Sequence, residues 1–257
     1  MSKTVAVVNQ KGGVGKTTTT LNLATALSTV GKKILIIDFD PQGNATTGLG
    51  VTEKRKIKGS YETLIGAIEP DQAYQETAIP NLYLMPASLN LSGAEVELVG
   101  VKGRERLLRN VLEKLTPFDF IFIDCPPSLG LLTLNALVAA DQVLIPLQCE
   151  FYALEGLSQV LFTIDQVRKK FNPGLDLQGI VLTMFDSRSS LSTQVANDVR
   201  YHLKDKVYET QIPRNVRIAE APSFGKPAII YDLKCQGSQA YLQLAKEILA
   251  QERKVAA

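Results

Sequence analysis

The chain has no tryptophan, one histidine, three methionines and three cysteines among 257 residues. Three thiols, Cys125, Cys149 and Cys235, are too few to staple a scaffold, and no C-x-x-C spacing joins them. They read as reduced packing residues of a cytoplasmic protein. The single His202 falls in a helical stretch away from every motif and offers no metal site. No apolar run approaches the roughly eighteen residues that suggest a membrane-spanning helix. The apolar stretch after Met1-Ser2-Lys3-Thr4 stops at Asn9-Gln10-Lys11, too early for a secretory signal core. An excess of one charge sign is also missing, since 28 Lys and Arg face 26 Asp and Glu for a formal net charge of +2. Nucleic-acid binding would therefore need a local patch rather than bulk charge. Internal repeats and low-complexity segments are absent as well.

What is present is an ordinary globular composition, 45% hydrophobic and 21% charged, which excludes disorder as the main state. At about 150 residues per domain, the length allows one large domain or two small ones. Short apolar runs predict strands at Thr4–Asn9, Lys33–Asp38, Leu82–Pro86, Phe118–Asp124, Gln142–Leu147, Leu177–Met184 and Val207–Ile212. Runs such as Ile34-Leu35-Ile36-Ile37 and Phe120-Ile121-Phe122-Ile123 are continuously apolar, as parallel strands buried on both faces are. Between them, one-sided apolar spacing predicts helices over Lys16–Val30, Arg104–Leu115, Gly156–Phe171, Ser192–Leu203 and Ser238–Gln251. The alternation predicts a doubly wound α/β fold, a mostly parallel sheet with helices on both faces. The less regular stretch Val51–Asn81, with its basic run Lys54-Arg55-Lys56, reads as an excursion from the same domain.

The first predicted strand leads directly into Gln10-Lys11-Gly12-Gly13-Val14-Gly15-Lys16-Thr17-Thr18 and then a helix. Glycines allow the tight turn that points backbone N–H groups inward, and the helix N-terminus adds partial positive charge, so the loop is an anion cradle. Lys16 is placed for β- and γ-phosphates and the Thr17 hydroxyl for Mg²⁺. The pattern G-x-x-x-x-G-K-[ST] is broken at its first glycine, where Gln10 stands beside a second lysine, Lys11. Carboxylates at strand ends face the ligand crevice of such a sheet. One strand ends in Asp38-Phe39-Asp40-Pro41-Gln42 and another in Asp124-Cys125-Pro126-Pro127. Asp124 is the natural metal-side carboxylate, while Asp38 and Asp40 divide between turn capping and the site.

Lys-Gly-Gly-Val-Gly-Lys-Thr, Asp-Phe-Asp-Pro-Gln-Gly-Asn and Ile-Asp-Cys-Pro-Pro-Ser-Leu-Gly together resemble the ParA/Soj partition ATPases, of the MinD/ParA group with a deviant Walker A loop. The similarity continues through Ile212–Arg217 and Glu220–Ser223, so it covers nearly the whole chain. The resemblance implies a single P-loop ATPase domain over residues 1–257, like the short members without an N-terminal DNA-binding extension. It implies ATP and Mg²⁺ as cofactors, with Gly12, Gly13, Val14, Gly15, Lys16, Thr17 and Thr18 around the phosphates. Thr17, Asp38 and Asp124 then serve the metal, Asp38 as outer support. Lys11 would cross a dimer interface to the partner's nucleotide, Gly12 would sit where protomers meet, and Asp40 would orient the attacking water. Met184, Pro213 and Asn215 would flank the adenine, against alternatives of a core methionine and a strand-end turn. Arg188 and Arg217 match positions for sequence-independent DNA binding. The alternatives are that Arg188 pairs with Asp186 and that Arg217 serves the adenine loop. Lys204, Lys206 and Lys234 extend that patch or are ordinary solvated charges.

The partners implied are a second copy held by ATP, non-specific duplex DNA and a ParB-type centromere-binding protein, in a nucleoid-associated cytoplasmic setting. A MinD-like membrane ATPase is the main alternative. It would need an amphipathic anchor in Gln236–Ala257, a segment that reads instead as a helix docked on the body. An iron–sulfur reductase and an ATP-dependent synthetase on the same scaffold are further readings. The first lacks suitably flanked cysteines and the second any added substrate motif.

Overall fold

The computed structural model describes residues 2–51 and 58–256, with side chains described as far as residue 253. The basic run Lys54-Arg55-Lys56 lies outside the described residues. In chain order the elements are β1 (Lys3–Val7), α1 (Lys16–Thr29), β2 (Ile34–Asp38), α2 (Asn44–Gly48), α3 (Ser60–Leu64), β3 (Gln75–Glu76), β4 (Leu82–Met85), α4 (Ala94–Glu97), α5 (Leu107–Leu112), β5 (Phe120–Asp124), α6 (Leu131–Ala139), β6 (Gln142–Gln148), α7 (Ala153–Lys170), β7 (Asp176–Phe185), α8 (Ser190–Leu203), β8 (Val207–Pro213), α9 (Val216–Glu220), α10 (Ala228–Tyr231) and α11 (Gln236–Ala256).

The strands form one eight-stranded sheet in the order β3-β4-β2-β5-β1-β6-β7-β8. Every neighbouring pair is parallel except β3–β4. Residue alternation divides the core between the two faces. Ala6, Leu35, Ile37, Ile121 and Ile123 join the cluster under α5, α6, α7 and α8. Val5, Val7, Ile34, Ile36, Phe120 and Phe122 join the one under α1 and α11. This is the doubly wound architecture that the continuous apolar runs predict. The chain winds from β1 to one side through β2, β4 and β5, then crosses β1 to β6, β7 and β8. The crevice at the carboxyl end of β1 is where such a sheet binds ligands.

The short helices α2, α3, α4, α9 and α10 are not among the expected elements, and three further elements differ from the sequence expectation. Helix α6 is not anticipated, because Leu131–Ala139 is apolar almost all round and shows no dominant face. The stretch from Arg104 begins as a 3₁₀ turn over Arg104–Arg106, and α5 ends at Leu112. Both residues of the edge strand β3 are exposed, and it carries no hydrophobic signal.

The loop after α2 meets the loop before α10 through backbone. A Cβ on Gly225 would stand 2.7 Å from the Gly50 Cα, and its φ of +61° is in the left-handed region. Gly225→Ala combines left-handed strain with an overlap against backbone and should cost about 2 kcal/mol. Scanning calorimetry should show Tm lowered by about 4–8 °C. An unchanged Tm would mean that these two loops separate without cost.

Candidate functional site

The loop from Gln10 to Gly15 is braced from both flanks. Asn9 donates from Nδ2 to the Pro146 carbonyl at 2.7 Å, and its Oδ1 accepts from the Lys11 amide at 3.0 Å. On the far side, the Thr183 hydroxyl donates to the Val14 carbonyl at 2.7 Å. Gly13 and Gly15 take φ of +75° and +90°, which L side chains rarely adopt, so glycine at both is a backbone requirement. Gly15 caps α1, and the amide of Thr19 donates to its carbonyl at 2.8 Å.

Lys16 is 7% exposed, and its Nζ donates to the Lys11 carbonyl at 3.0 Å, curling back over the loop. Burial lowers its pKa against the opposing pull of Asp124. Asp124 is fully buried at the end of β5. Its carboxylate accepts from the hydroxyls of Thr17 at 2.7 Å and Thr20 at 3.3 Å. Asp38 stands beside it in register on β2 and is equally buried. Burial pushes both carboxyls above the usual range, and the charge of Asp38 adds to the effect at Asp124.

The two aspartates of the β2 end have different surroundings. Asp40 is 6% exposed and lines the cavity over the glycine loop, its Oδ1 accepting from the Gln42 amide at 2.9 Å. Asp38 does not line that cavity. Its Oδ2 accepts from the amide and hydroxyl of Thr46, at 2.7 and 2.6 Å.

The cavity over the glycine loop has a volume of ≈ 390 Å³. Gly12, Gly13, Gly15, Lys16, Thr17 and Thr18 line it, with Asp40, Gln42, Asn44 and Thr47 from the segment after β2. Met184, Ile218, Ala221, Pro222, Lys226 and Pro227 also line it. Met184 thus reaches the cavity, with a φ of +49° that is strained for a non-glycine residue. Pro213 and Asn215 do not line it. Pro213 borders a neighbouring cavity of ≈ 420 Å³ with Phe185, Asp186, Arg188, Arg214 and Val216. Asn215 caps α9, its Oδ1 accepting from the Arg217 amide at 2.9 Å.

The three cations expected at outer surfaces are held in pairs. Lys11 is half-exposed and bonded to Glu150, beyond the end of β6 and outside the glycine-loop cavity. Arg188 grips Asp186 through Nε and Nη2 at 2.9 and 2.8 Å, which draws the Asp186 carboxyl down to about 2. Arg217 pairs with Glu220 at 3.0 Å and approaches Asp232 at 3.6 Å. The amide of Lys234 donates to the same Asp232, so Lys234 lies near Arg217. Lys206 instead donates to the Leu177 carbonyl, near the start of β7. That is roughly 26 Å of strand from the β7 end that precedes Arg188, so Lys206 and its neighbour Lys204 do not extend that surface.

Sequence reasoning missed Glu150, Thr46, Arg214 and the 218–227 wall. Only Arg214 carried a local signal, its place between Pro213 and Asn215.

No group of three or more His, Cys, Asp and Glu among the described residues is arranged to hold a metal ion on its own. A hydroxyl bonded to a buried carboxylate does suit a hard divalent cation that takes its other ligands from phosphate and water. The strand, braced glycine loop and helix, with lysine and threonine lining one cavity and a buried aspartate bonded to that threonine, define a P-loop nucleotide-binding protein.

Residues 2–177 match the family model described as AAA domain. The chain is 54% identical over 254 residues to the chromosome partitioning protein ParA of Caulobacter vibrioides, covering 98% of this chain and 95% of that protein. It is 51% identical over 251 residues to the sporulation initiation inhibitor protein Soj of Bacillus subtilis, covering 97% and 99%. Among solved structures, cobyrinic acid a,c-diamide synthase from Mycobacterium smegmatis with bound ADP and magnesium superimposes with a TM-score of 0.86. It is 40% identical, over 98% of this chain and 96% of that one. The chain belongs to the ParA/Soj family of partition ATPases.

Cys125 and Cys149 are buried, and burial raises both thiols, Cys149 to about 11 and Cys125 well above its ordinary value. Cys235 is partly exposed. Iodoacetamide at pH 8 should therefore label Cys235 alone in the native protein, and all three residues in urea. Native labelling of Cys125 as fast as Cys235 would show that the β5 end opens.

Proposed function

We propose that this protein is an ATP-driven switch for DNA segregation. ATP with Mg²⁺ occupies the cradle, two protomers close over their nucleotides, and the dimer binds duplex DNA without sequence preference. Slow hydrolysis, stimulated by a ParB-type centromere-binding protein, releases the DNA. The observation that carries the reading is the convergence of Lys16, Thr17 and buried Asp124 beneath one cavity, in a chain 54% identical to a chromosome partitioning ParA. The diamide synthase structure offers a small-molecule enzyme as a second reading, at the lower identity of 40%.

Mg²⁺, when bound, neutralises phosphate charge, and Thr17 and Asp124 are the residues that would hold it. Backbone N–H groups of Gly13–Thr18 receive the phosphate oxygens, and Lys16 leaves the Lys11 carbonyl to meet them. Asp40 holds one oxygen on the Gln42 amide and uses the other to orient water for in-line attack on the γ-phosphorus. The leaving group is ADP, and the water proton passes to bulk solvent through the released phosphate. Lys11 exchanges Glu150 for the partner protomer's phosphates, adding a cation where charge develops. Membrane anchoring finds no support in α11, whose Tyr241, Leu244, Ala245 and Ile248 are already buried against the body. Among the described residues no helix is long and apolar enough to cross a membrane.

Three variants separate the steps. Lys16→Ala should lose nucleotide binding. Asp40→Ala should bind MgATP normally, fail to hydrolyse it and sediment as a dimer. Gly12→Val should bind ATP but stay monomeric, since a Cβ there meets nothing closer than Pro127 at 3.9 Å within its own protomer. Binding is read by calorimetry, turnover by phosphate release and assembly by sedimentation. Wild-type turnover should lie well below ~10 s⁻¹. Wild-type hydrolysis by Asp40→Ala would remove that residue from the mechanism.

The DNA surface makes a separate prediction. Exposed ion pairs are weak, so Arg188 and Arg217 can trade Asp186 and Glu220 for phosphate. Two contacts per protomer give a dimer a slope of about −3.6 in log affinity against log salt, and Arg217→Ala should flatten it by about 1.8. The effect should appear in ATP, not ADP, and equally on every sequence. Equal DNA binding in both nucleotides would contradict the switch.

A further inference from the structure

We infer that Thr46 is a positioning residue for hydrolysis, setting the loop that carries Asp40 by holding the carboxylate of Asp38. The inference rests on the reading of the protein as an ATP hydrolase.

The segment between Asp38 and Thr46 carries three cavity residues, Asp40, Gln42 and Asn44. Both of its ends close on one carboxylate. Asp38 Oδ2 accepts from the Thr46 amide at 2.7 Å and from the Thr46 hydroxyl at 2.6 Å. Asp38 Oδ1 lies 3.4 Å from the Asp40 amide, a longer contact. Inside the loop, the Gly43 amide donates to the Asp40 carbonyl at 2.8 Å. The loop is thus a closed unit tied to the sheet near its Asp38 end through Phe39, whose amide donates to the Asp124 carbonyl at 3.0 Å, and at its far end through Thr46. Thr46 supplies that tie twice, because its hydroxyl oxygen also accepts from the Ala87 amide at 3.0 Å, just beyond β4. Thr46 and Asp38 are both fully buried, so no water replaces either bond.

The hydroxyl therefore fastens the Asp40 loop to the ends of β2 and β4 together. Thr46 makes no contribution to the cavity wall and touches no reacting atom in this arrangement. Its loss should disturb where Asp40 holds water and leave the glycine-loop cradle intact. Positioning errors of this kind reduce turnover more than binding.

Thr46→Val removes the hydroxyl at constant shape, and Thr46→Ser keeps it. With the full-length protein, ATP turnover by Thr46→Val should fall about tenfold, the scale of one buried hydrogen bond. Its KM, and its affinity for N-methylanthraniloyl-ATP, should stay within about twofold, and Thr46→Ser should recover most of the turnover. Amide hydrogen exchange on the nucleotide-free protein gives a readout independent of hydrolysis. The Ala87 amide should lose protection in Thr46→Val and keep it in Thr46→Ser, with β2 amides unchanged. Thr46→Ala replaces the valine variant if that chain does not fold. Wild-type turnover in Thr46→Val, parallel loss of binding and turnover, or unchanged Ala87 protection would each overturn the inference. An inactive wild type would instead refute the hydrolase reading, while the exchange data would still decide whether Thr46 holds the loop.

Discussion

Two carboxylates, Asp38 and Asp124, stand side by side at the ends of adjacent parallel strands with no exposure to solvent. An unpaired buried carboxylate is strongly disfavoured, and two neighbours of like charge are worse. Hydroxyls resolve this, from Thr17 and Thr20 on one side and Thr46 on the other. Each hydroxyl also belongs to an element that borders the cavity, α1 for the first two and α2, which follows the Asp40 loop, for the third. The same bonds that make the pair tolerable therefore assemble the site. A cation beside Asp124 would relieve the remaining repulsion, so the fold favours occupancy at that point.

The outer charges follow a different rule. Lys11, Arg188 and Arg217 each hold a carboxylate of the same chain, and all three are at least half-exposed or nearly so. Pairs in high dielectric exchange partners readily. In the proposed switch, a phosphate of nucleotide or nucleic acid would take the place of Glu150, Asp186 or Glu220. The buried groups are held by fixed bonds and the exposed ones by exchangeable pairs, a division that suits the proposed switch.

Most of the central sheet was legible in the sequence because parallel strands buried on both faces leave continuous apolar runs. The glycine loop was legible because its chemistry is local, with lysine and threonine opening the helix that follows. Asp124 followed from the end of its strand. Thr46 was invisible, since its role depends on Asp38 eight residues earlier and Ala87 on another strand end. The partner of Lys11, Glu150, is likewise supplied by the segment after β6 and by no nearby sequence. Helix α6 escaped because burial on nearly every side erases helical period. Asn215 read as a base contact by resemblance, while its oxygen caps α9, a use that any asparagine before a helix shares.

The central claim is that affinity resides in the phosphate cradle built over the buried aspartates. Calorimetric titration of ATP, ADP and AMP in the presence of Mg²⁺ tests it most directly. AMP reaches neither Lys16 nor the Thr17–Asp124 pair with a β-phosphate, so it should bind at least about a hundredfold more weakly than ADP, with ATP close to ADP. AMP binding as tightly as ATP would place the affinity on the base side and contradict this account.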